Sequence, residues 1–126
     1  MPTVVWVALG GALGSAARYG VNVLSGRMLG TAFPWHTLIV NVAGSFVMGA
    51  LVGLMAARWN VGNDARAFLT TGILGGFTTF SAFALDFALL VERRAPVLAG
   101  SYVAASVILS LAAIMAGLAL VRALHP

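Results

Sequence analysis

The chain has 126 residues, of which 61% are hydrophobic and only 8% are charged. Charged residues normally make up about a quarter of a soluble domain, so this composition excludes a soluble globule and indicates an integral membrane protein. The net charge is +4, but the seven basic residues are all arginines that lie scattered along the chain. They form no basic patch with interleaved aromatic residues, so nucleic acid is not an expected partner.

The length holds four membrane spans and leaves no room for a second domain, because a span needs about 20 residues. We predict an all-α, single four-helix transmembrane domain over residues 1–126, with spans at about 4–24, 35–57, 65–91 and 96–120. The first apolar run lacks a basic segment and a cleavage pattern, so we expect a retained span. Four short helices enclose little interior. A polar path is therefore expected at a subunit interface, in an oligomer.

The first span carries a small-residue face and one charged residue. Gly10 and Gly14 lie four residues apart, which lets another helix approach closely. Arg18 follows on the same side, and a guanidinium inside a span is costly unless it pairs or faces water. Two interpretations remain open for Arg18: a functional group in a water-filled vestibule, or an anchor at the far interface.

The second span carries a polar stripe formed by Thr37, Asn41 and Ser45, which recur every fourth residue. The Asn41 carboxamide has two N–H donors and one acceptor oxygen, all of which need partners in the membrane. Those donors can coordinate a desolvated anion, or the group can form an interhelical hydrogen bond. Arg58 and Trp59 are expected to end this span as an interfacial belt.

The third span contains the stretch GGFTTFSAF, residues 75–83, where glycines and hydroxyl residues interrupt an apolar run. A helix break at membrane depth survives only inside protein, beside a cavity or around an ion, and freed carbonyls there can bind a cation. The alternative is an unbroken helix with close-packing glycines. Asp86 and Glu92 lie toward the end of this span, with Arg93 and Arg94 close enough to neutralise them.

The fourth span carries Tyr102, Ser106 and Ser110, which recur every fourth residue and form a second polar stripe. A single serine can satisfy itself on the carbonyl four residues earlier, so each one alone is weak support for a polar path. Three hydroxyls in register predict a track along one face of this helix.

Unless Arg18 breaks the tie, the arginines give no preferred orientation in the membrane. One side of a four-span protein would carry Arg58, Arg66 and Arg122, and the other side Arg27, Arg93 and Arg94. We therefore predict insertion in both orientations and an antiparallel dimer. In such a dimer the break in the third span meets its symmetry copy near the membrane midplane.

With these motifs in place, the sequence resembles the CrcB/Fluc family of fluoride channels over essentially its whole length. The resemblance rests on GGALGSAAR, which ends at Arg18, on NVAGSF at 41–46, and on GFTTFSAF at 76–83. It implies a dual-topology, antiparallel homodimer with two fluoride pores and a central structural sodium ion. Ala82 departs from the family pattern, where many members have threonine, and this puts a local hydrogen bond in doubt.

The resemblance also implies roles for particular residues. The backbone carbonyls of Gly75 and Thr78 from both subunits would hold the sodium ion, and Arg18 would be the vestibule arginine. The residues implied at the fluoride pores are Asn41, Phe80, Phe83, Tyr102, Ser106 and Ser110.

We therefore expect a fluoride-selective channel, not an enzyme, that lets fluoride leave the cell passively through a bacterial inner membrane. Its partners would be fluoride, a second copy of the chain and the lipid bilayer. One alternative is a small dual-topology multidrug exporter, which needs a membrane-embedded carboxylate that the first, second and fourth spans lack. Another is a membrane scaffold protein, whose polar stripes would serve helix association alone and which would conduct no ions.

Overall fold

The computed structural model describes residues 1–57 and 60–126, and every regular element within them is helical. The elements are α1 (Thr3–Leu29), α2 (Trp35–Ala57), α3 (Asn63–Ala67), a π-helical segment (Phe68–Leu74), α4 (Gly75–Phe77), α5 (Phe80–Glu92) and α6 (Pro96–Leu124). Four stretches are long and apolar enough to cross a membrane: α1, α2, the third span (Asn63–Glu92) and α6. The predicted all-α architecture with four spans is confirmed. Arg58 and Trp59, the predicted belt, lie outside the described residues.

The first and last helices extend beyond the predicted spans. Helix α1 continues to Leu29, which places Arg18 near the middle of the helix and not at its end. Helix α6 begins at Pro96, whose fixed φ suits a first helical turn and whose missing N–H has no partner to lose there.

The helices pack in two groups, with α2 along α6 and α1 along the π-helical segment and α4. Gly10 and Gly14 are buried in the second group, so the predicted small-residue face is the contact surface of α1. A Cβ atom at Gly14 would overlap the Ile73 carbonyl oxygen, and one at Gly76 would lie 2.7 Å from the Gly11 carbonyl oxygen. Two backbones therefore touch directly, and α1 supports the third span at the predicted break.

Few large apolar side chains are buried within the single chain. One small cluster joins α2, α5 and α6 through Leu38, Leu90, Ala99 and Tyr102. Many others point outward, including Leu13, Ile108 and Leu111, each of which is more than half exposed. An apolar surface of this extent requires lipid or another protein chain around it.

Candidate functional site

The third span is interrupted at Thr78 and Thr79, between α4 and α5. Both residues are extended, with φ −86° and ψ 158° at Thr78 and φ −153° and ψ 123° at Thr79. The predicted break is therefore present, and the alternative of an unbroken helix is wrong. The Thr78 N–H and hydroxyl both donate to the Leu74 carbonyl, at 3.0 and 2.9 Å, and this closes α4.

Helix α5 restarts on a side-chain cap. The Thr79 Oγ1 atom accepts a hydrogen bond from the Ala82 N–H at 3.1 Å, as an N-cap threonine does. Position 82 thus contributes its backbone to the local network, and alanine there retains that bond. The Ser81 hydroxyl lies 3.4 Å from Thr79 Oγ1 on the same turn.

Asn41 binds the break from α2. Its Nδ2 donates to the Thr79 carbonyl at 3.0 Å, and its Oδ1 accepts from the Thr79 N–H at 2.8 Å. The carboxamide therefore pairs with both polar atoms of one residue, in the way that a neighbouring β-strand would. The interhelical hydrogen bond considered from the sequence is present. One of the two amide hydrogens of Asn41 remains for another acceptor.

Arg18 binds the break from α1. Its Nε donates to the Gly76 carbonyl at 3.1 Å, just before the interruption. The same side chain lines a cavity of about 240 Å³ together with Asn22 and His36, where α1 faces α2. Arg18 thus has the partner and the cavity that a charge inside a membrane span requires.

A groove of about 380 Å³ runs along α2, the break and α6. It brings together most of the residues predicted from the sequence as pore residues or cation ligands, namely Asn41, Thr78, Phe80, Phe83, Ser106 and Ser110. Gly75 and Tyr102 do not line it. The remaining lining residues are mainly apolar, so the polar groups lie within a largely hydrophobic groove.

Ser106 is the exceptional polar group of this groove. The residue is only 6% exposed, and within the part of the chain that the structure describes, its Oγ atom has no hydrogen-bond partner. A buried hydroxyl without a partner costs roughly 1–3 kcal/mol, so its presence calls for an explanation. A ligand that accepts a hydrogen bond inside the groove would provide one.

Two phenylalanines flank the groove at the start of α5. The ring centroids of Phe80 and Phe83 are 5.5 Å apart, and Phe83 lies 5.2 Å from the Tyr102 ring. Phe83 packs against the small buried cluster, whereas Phe80 is 79% exposed in the single chain. In the membrane this exposed ring must be covered by lipid or by another protein chain.

Tyr102 has a different partner from the one expected. Its hydroxyl donates to Asp86 Oδ2 at 3.0 Å, and the Thr37 hydroxyl donates to the same oxygen at 2.6 Å. Thr37 and Tyr102 are both fully buried. Asp86 therefore joins α2, α5 and α6. The hydrogen-bond partners of Asp86 are these two hydroxyls, and its neutralisation by Arg93 and Arg94 stays a prediction.

The sequence reasoning missed this role of Asp86. Asp86 lies three residues after Phe83, so the two side chains are neighbours on the surface of α5. That spacing was the available signal. Arg93 lines the same cavity as Asp86, with a volume of about 180 Å³, near the membrane-surface end of the third span.

Side chains alone offer no metal site in residues 1–57 and 60–126, where no three His, Asp or Glu residues are grouped to hold an ion. A cation at the break would therefore depend on backbone oxygen atoms. Carbonyl oxygens are suitable ligands for hard cations, and broken membrane helices present them in this way.

A broken span beside a groove of hydroxyl, carboxamide and aromatic groups is typical of proteins that move ions across membranes. The chain belongs to the CrcB family, because residues 5–118 match the family model described as CrcB-like protein, Camphor Resistance (CrcB). The resemblance drawn from the sequence is confirmed.

Similar proteins cover nearly the whole chain. A protein of Rhodospirillum centenum named "Fluoride-specific ion channel FluC" is 57% identical over 122 residues, which is 97% of each chain. Proteins with the same name in Rhodopseudomonas palustris and Agrobacterium fabrum are 56% and 53% identical, each over 97% of this chain and 98% of their own.

Proposed function

We propose that this protein is a fluoride-selective ion channel through which fluoride leaves the cell passively, which lowers cytoplasmic fluoride and its toxicity. The observation that carries the proposal is the buried, unpartnered Ser106 hydroxyl in a groove that also contains Asn41 and Ser110. The names of the relatives in other bacteria support fluoride as the ion. The protein acts as a conduit and catalyses no reaction.

The donors in the groove suit a small, strongly hydrated anion. Conduction requires that protein groups replace the water around fluoride without binding it too tightly for release. The Ser106 and Ser110 hydroxyls and the remaining amide hydrogen of Asn41 are neutral donors, so they offer hydrogen bonds without the deep trap of a buried positive charge. Each can rotate or be left behind as the ion moves along the groove.

Phe80 and Phe83 would set the width of the path. Aromatic rings carry a positive edge, so a ring presented edge-on favours an anion while its apolar bulk keeps the path narrow. Their rings stand beside the hydroxyls and carboxamide on the groove wall. Larger anions would have to pass between the same two rings, whose apolar bulk keeps the path narrow.

The proposed channel is an antiparallel homodimer with two pores. A polar groove cannot face lipid, because hydrocarbon offers no hydrogen-bond partners. Phe80, beside this groove, is 79% exposed in the single chain, and a second copy that covers the groove would cover it too. The balance of arginines, Arg58, Arg66 and Arg122 against Arg27, Arg93 and Arg94, favours insertion in both orientations and hence dual topology.

A structural sodium ion at the centre of that dimer is part of the proposal. Gly75 and Thr78 of both copies would contribute their carbonyl oxygens, and the break in the helix frees such groups. When bound, sodium would be the positively charged partner of these carbonyl oxygens. Arg18, beside its cavity, would attract anions to the entrance.

We further propose that the chain is a multi-pass protein of a bacterial inner membrane, whose partners are fluoride, its own second copy and the bilayer. The carboxylate that a proton-coupled exporter of cations would need does exist, as Asp86, but two hydroxyls already hold one of its oxygens. The alternative of a scaffold protein predicts no ion flux, so a transport assay distinguishes it from a channel.

The test is anion efflux from liposomes that contain the purified protein. Matched samples loaded with potassium fluoride and potassium chloride are monitored with ion-selective electrodes after a potassium ionophore is added. We expect rapid loss of fluoride and retention of chloride. Protein-free liposomes and liposomes containing the Phe80→Ala variant serve as controls, and the variant should lose most of the fluoride flux.

Retention of both ions, by protein shown to be folded and dimeric, would overturn the channel and support the scaffold. Equal loss of fluoride and chloride would contradict fluoride selectivity. A requirement for a proton gradient would contradict passive conduction and support a coupled transporter.

A further inference from the structure

Two backbone amides next to the break bind side chains in place of the carbonyls they would meet in a continuous helix. In an α-helix each N–H bonds to the carbonyl four residues earlier. The Thr79 N–H, four residues after Gly75, donates to Asn41 Oδ1 at 2.8 Å. The Ala82 N–H, four residues after Thr78, donates to Thr79 Oγ1 at 3.1 Å. The helical partners of Gly75 and Thr78 are thus engaged elsewhere.

Other carbonyls in the same stretch do have donors. Gly76 accepts from Arg18 Nε, Leu74 accepts from the Thr78 amide and hydroxyl, and Thr79 accepts from Asn41 Nδ2. Among the bonds of the described residues, by contrast, none ends on the Gly75 or Thr78 carbonyl. The Gly75 and Thr78 carbonyls, together with that of Phe77, are therefore left without a protein donor among the described residues.

Glycine flexibility does not account for this pattern. Gly75 has φ −63° and ψ −36°, which is ordinary helical backbone that any residue can adopt. The extended residues are Thr78 and Thr79, and side-chain acceptors hold the amides that would otherwise continue the helix. Local side chains that compete with backbone hydrogen bonding are a known means of ending a helix.

We propose that Asn41 and Thr79 are positioning residues of the central cation site, because they keep the Gly75 and Thr78 carbonyls free of protein hydrogen bonds. This inference rests on the proposed sodium site and adds two residues to it that need not touch the ion. Without the Asn41 acceptor, the Thr79 N–H turns back to Gly75. Without the Thr79 hydroxyl, the Ala82 N–H turns back to Thr78, and α5 gains part of a turn.

The test measures how sodium stabilises the full-length protein in detergent. Thermal unfolding is followed over a series of sodium concentrations, with the large cation N-methyl-D-glucamine holding ionic strength constant. Asn41→Leu and Thr79→Val remove the two acceptors with little change in volume. Each should raise the sodium concentration that gives half of the stabilisation by about tenfold, because a competing backbone hydrogen bond must be broken.

Thr79→Ser is the matched control, since it retains the hydroxyl that accepts from Ala82. Its half-saturating sodium concentration should stay within about threefold of that of the unmodified protein. Backbone amide hydrogen exchange at Thr79 and Ala82 provides a second measurement. In Asn41→Leu and Thr79→Val, respectively, these amides should exchange faster when sodium is present, because sodium then competes for the carbonyls to which they have returned.

The sodium site and the positioning role of Asn41 and Thr79 can fail separately in this experiment. If sodium fails to stabilise the unmodified protein, the sodium site itself is wrong and the inference falls with it. If sodium stabilises the unmodified protein and both variants at the same concentrations, the site stands and the positioning role is overturned. If one variant does not fold, the other decides by the same criterion.

Discussion

The third span and α6 contain the same kinds of polar residue but use them differently. In the third span, the Thr78 hydroxyl donates to a backbone carbonyl and the Thr79 hydroxyl accepts from a backbone amide. In α6, the helix runs unbroken from Pro96 to Leu124, and the buried Ser106 hydroxyl has no partner within the described residues.

The difference shows what determines whether a hydroxyl can serve an ion. Where the helix is interrupted, backbone groups need partners, and nearby hydroxyls and carboxamides supply them. Where the helix is intact, the backbone satisfies itself and a side-chain hydroxyl remains available to the groove. In this molecule the broken helix presents its backbone, and the intact helix beside it presents its side chains. Variants that disturb one helix and spare the other test this division.

The largest loss of stability is expected when a side chain is added where the backbone of α1 contacts the backbone of the third span. In Gly14→Ala, the added methyl group overlaps the Ile73 carbonyl oxygen and lies 2.9 Å from the Phe77 backbone nitrogen. Backbone cannot rotate away as a side chain can, so we expect a loss of more than about 3 kcal/mol in stability, at the upper end for overpacking. The measurement is chemical or thermal unfolding in detergent.

Gly20→Ala on the same helix is the control, since nothing lies within 4 Å of a Cβ atom at that position. Alanine there should be neutral or add up to about 1 kcal/mol, because it favours the helix. Equal effects of the two substitutions would show that α1 does not brace the third span through this contact.

A smaller effect is expected where Asp86 joins the third span to α6 and α2. Asp86→Leu leaves the buried Thr37 and Tyr102 hydroxyls without their acceptor, and we expect a loss of about 2 kcal/mol. Tyr102→Phe removes one donor and keeps the Thr37 bond, so its cost should be about 1 kcal/mol. Unfolding measurements on both variants and on the double variant compare them.

The double variant sharpens this prediction. Because Asp86→Leu already removes the hydrogen bond of Tyr102, the combined loss should be smaller than the sum of the two single losses. Additive losses would contradict the hydrogen-bonded unit and leave Tyr102 as a packing residue in the small cluster with Leu38 and Leu90.

The overall fold could be predicted from the sequence because membrane helices need long apolar runs and little else. The four spans, the face around Gly14 and the break after Gly76 all follow from composition and spacing. The full lengths of α1 and α6 were not predicted, although Gly30, which follows Leu29 with φ 79°, is the glycine that commonly ends a helix. The π-helical segment before the break left no pattern in the sequence.

The candidate site could be predicted in its residues but not in its bonding. Asn41, Ser106 and Ser110 were placed on polar stripes by helical spacing, and they do line one groove. The Thr37–Asp86–Tyr102 bonds depend on how three helices pack, which spacing within each helix cannot determine. Arginines nearby in sequence suggested ion pairs for Asp86, whereas hydroxyls from α2 and α6 are nearer in space.

The smallest change in stability, with a clear change in transport, is expected at Ser106. Ser106→Ala removes a buried hydroxyl that has no partner among the described residues, so the protein should become as stable as before or gain up to about 1 kcal/mol. Fluoride efflux from liposomes should nevertheless fall by about tenfold, because a hydrogen bond to a charged group contributes about 1.5 kcal/mol. Ser101→Ala, at an exposed position on the same helix, should change neither quantity. A hydroxyl that mattered only for packing would give the reverse result, with lower stability and unchanged efflux. That result would show that Ser106 of α6 does not contact the ion, and of the two helices compared only the broken third span would then remain as a candidate for the ion path.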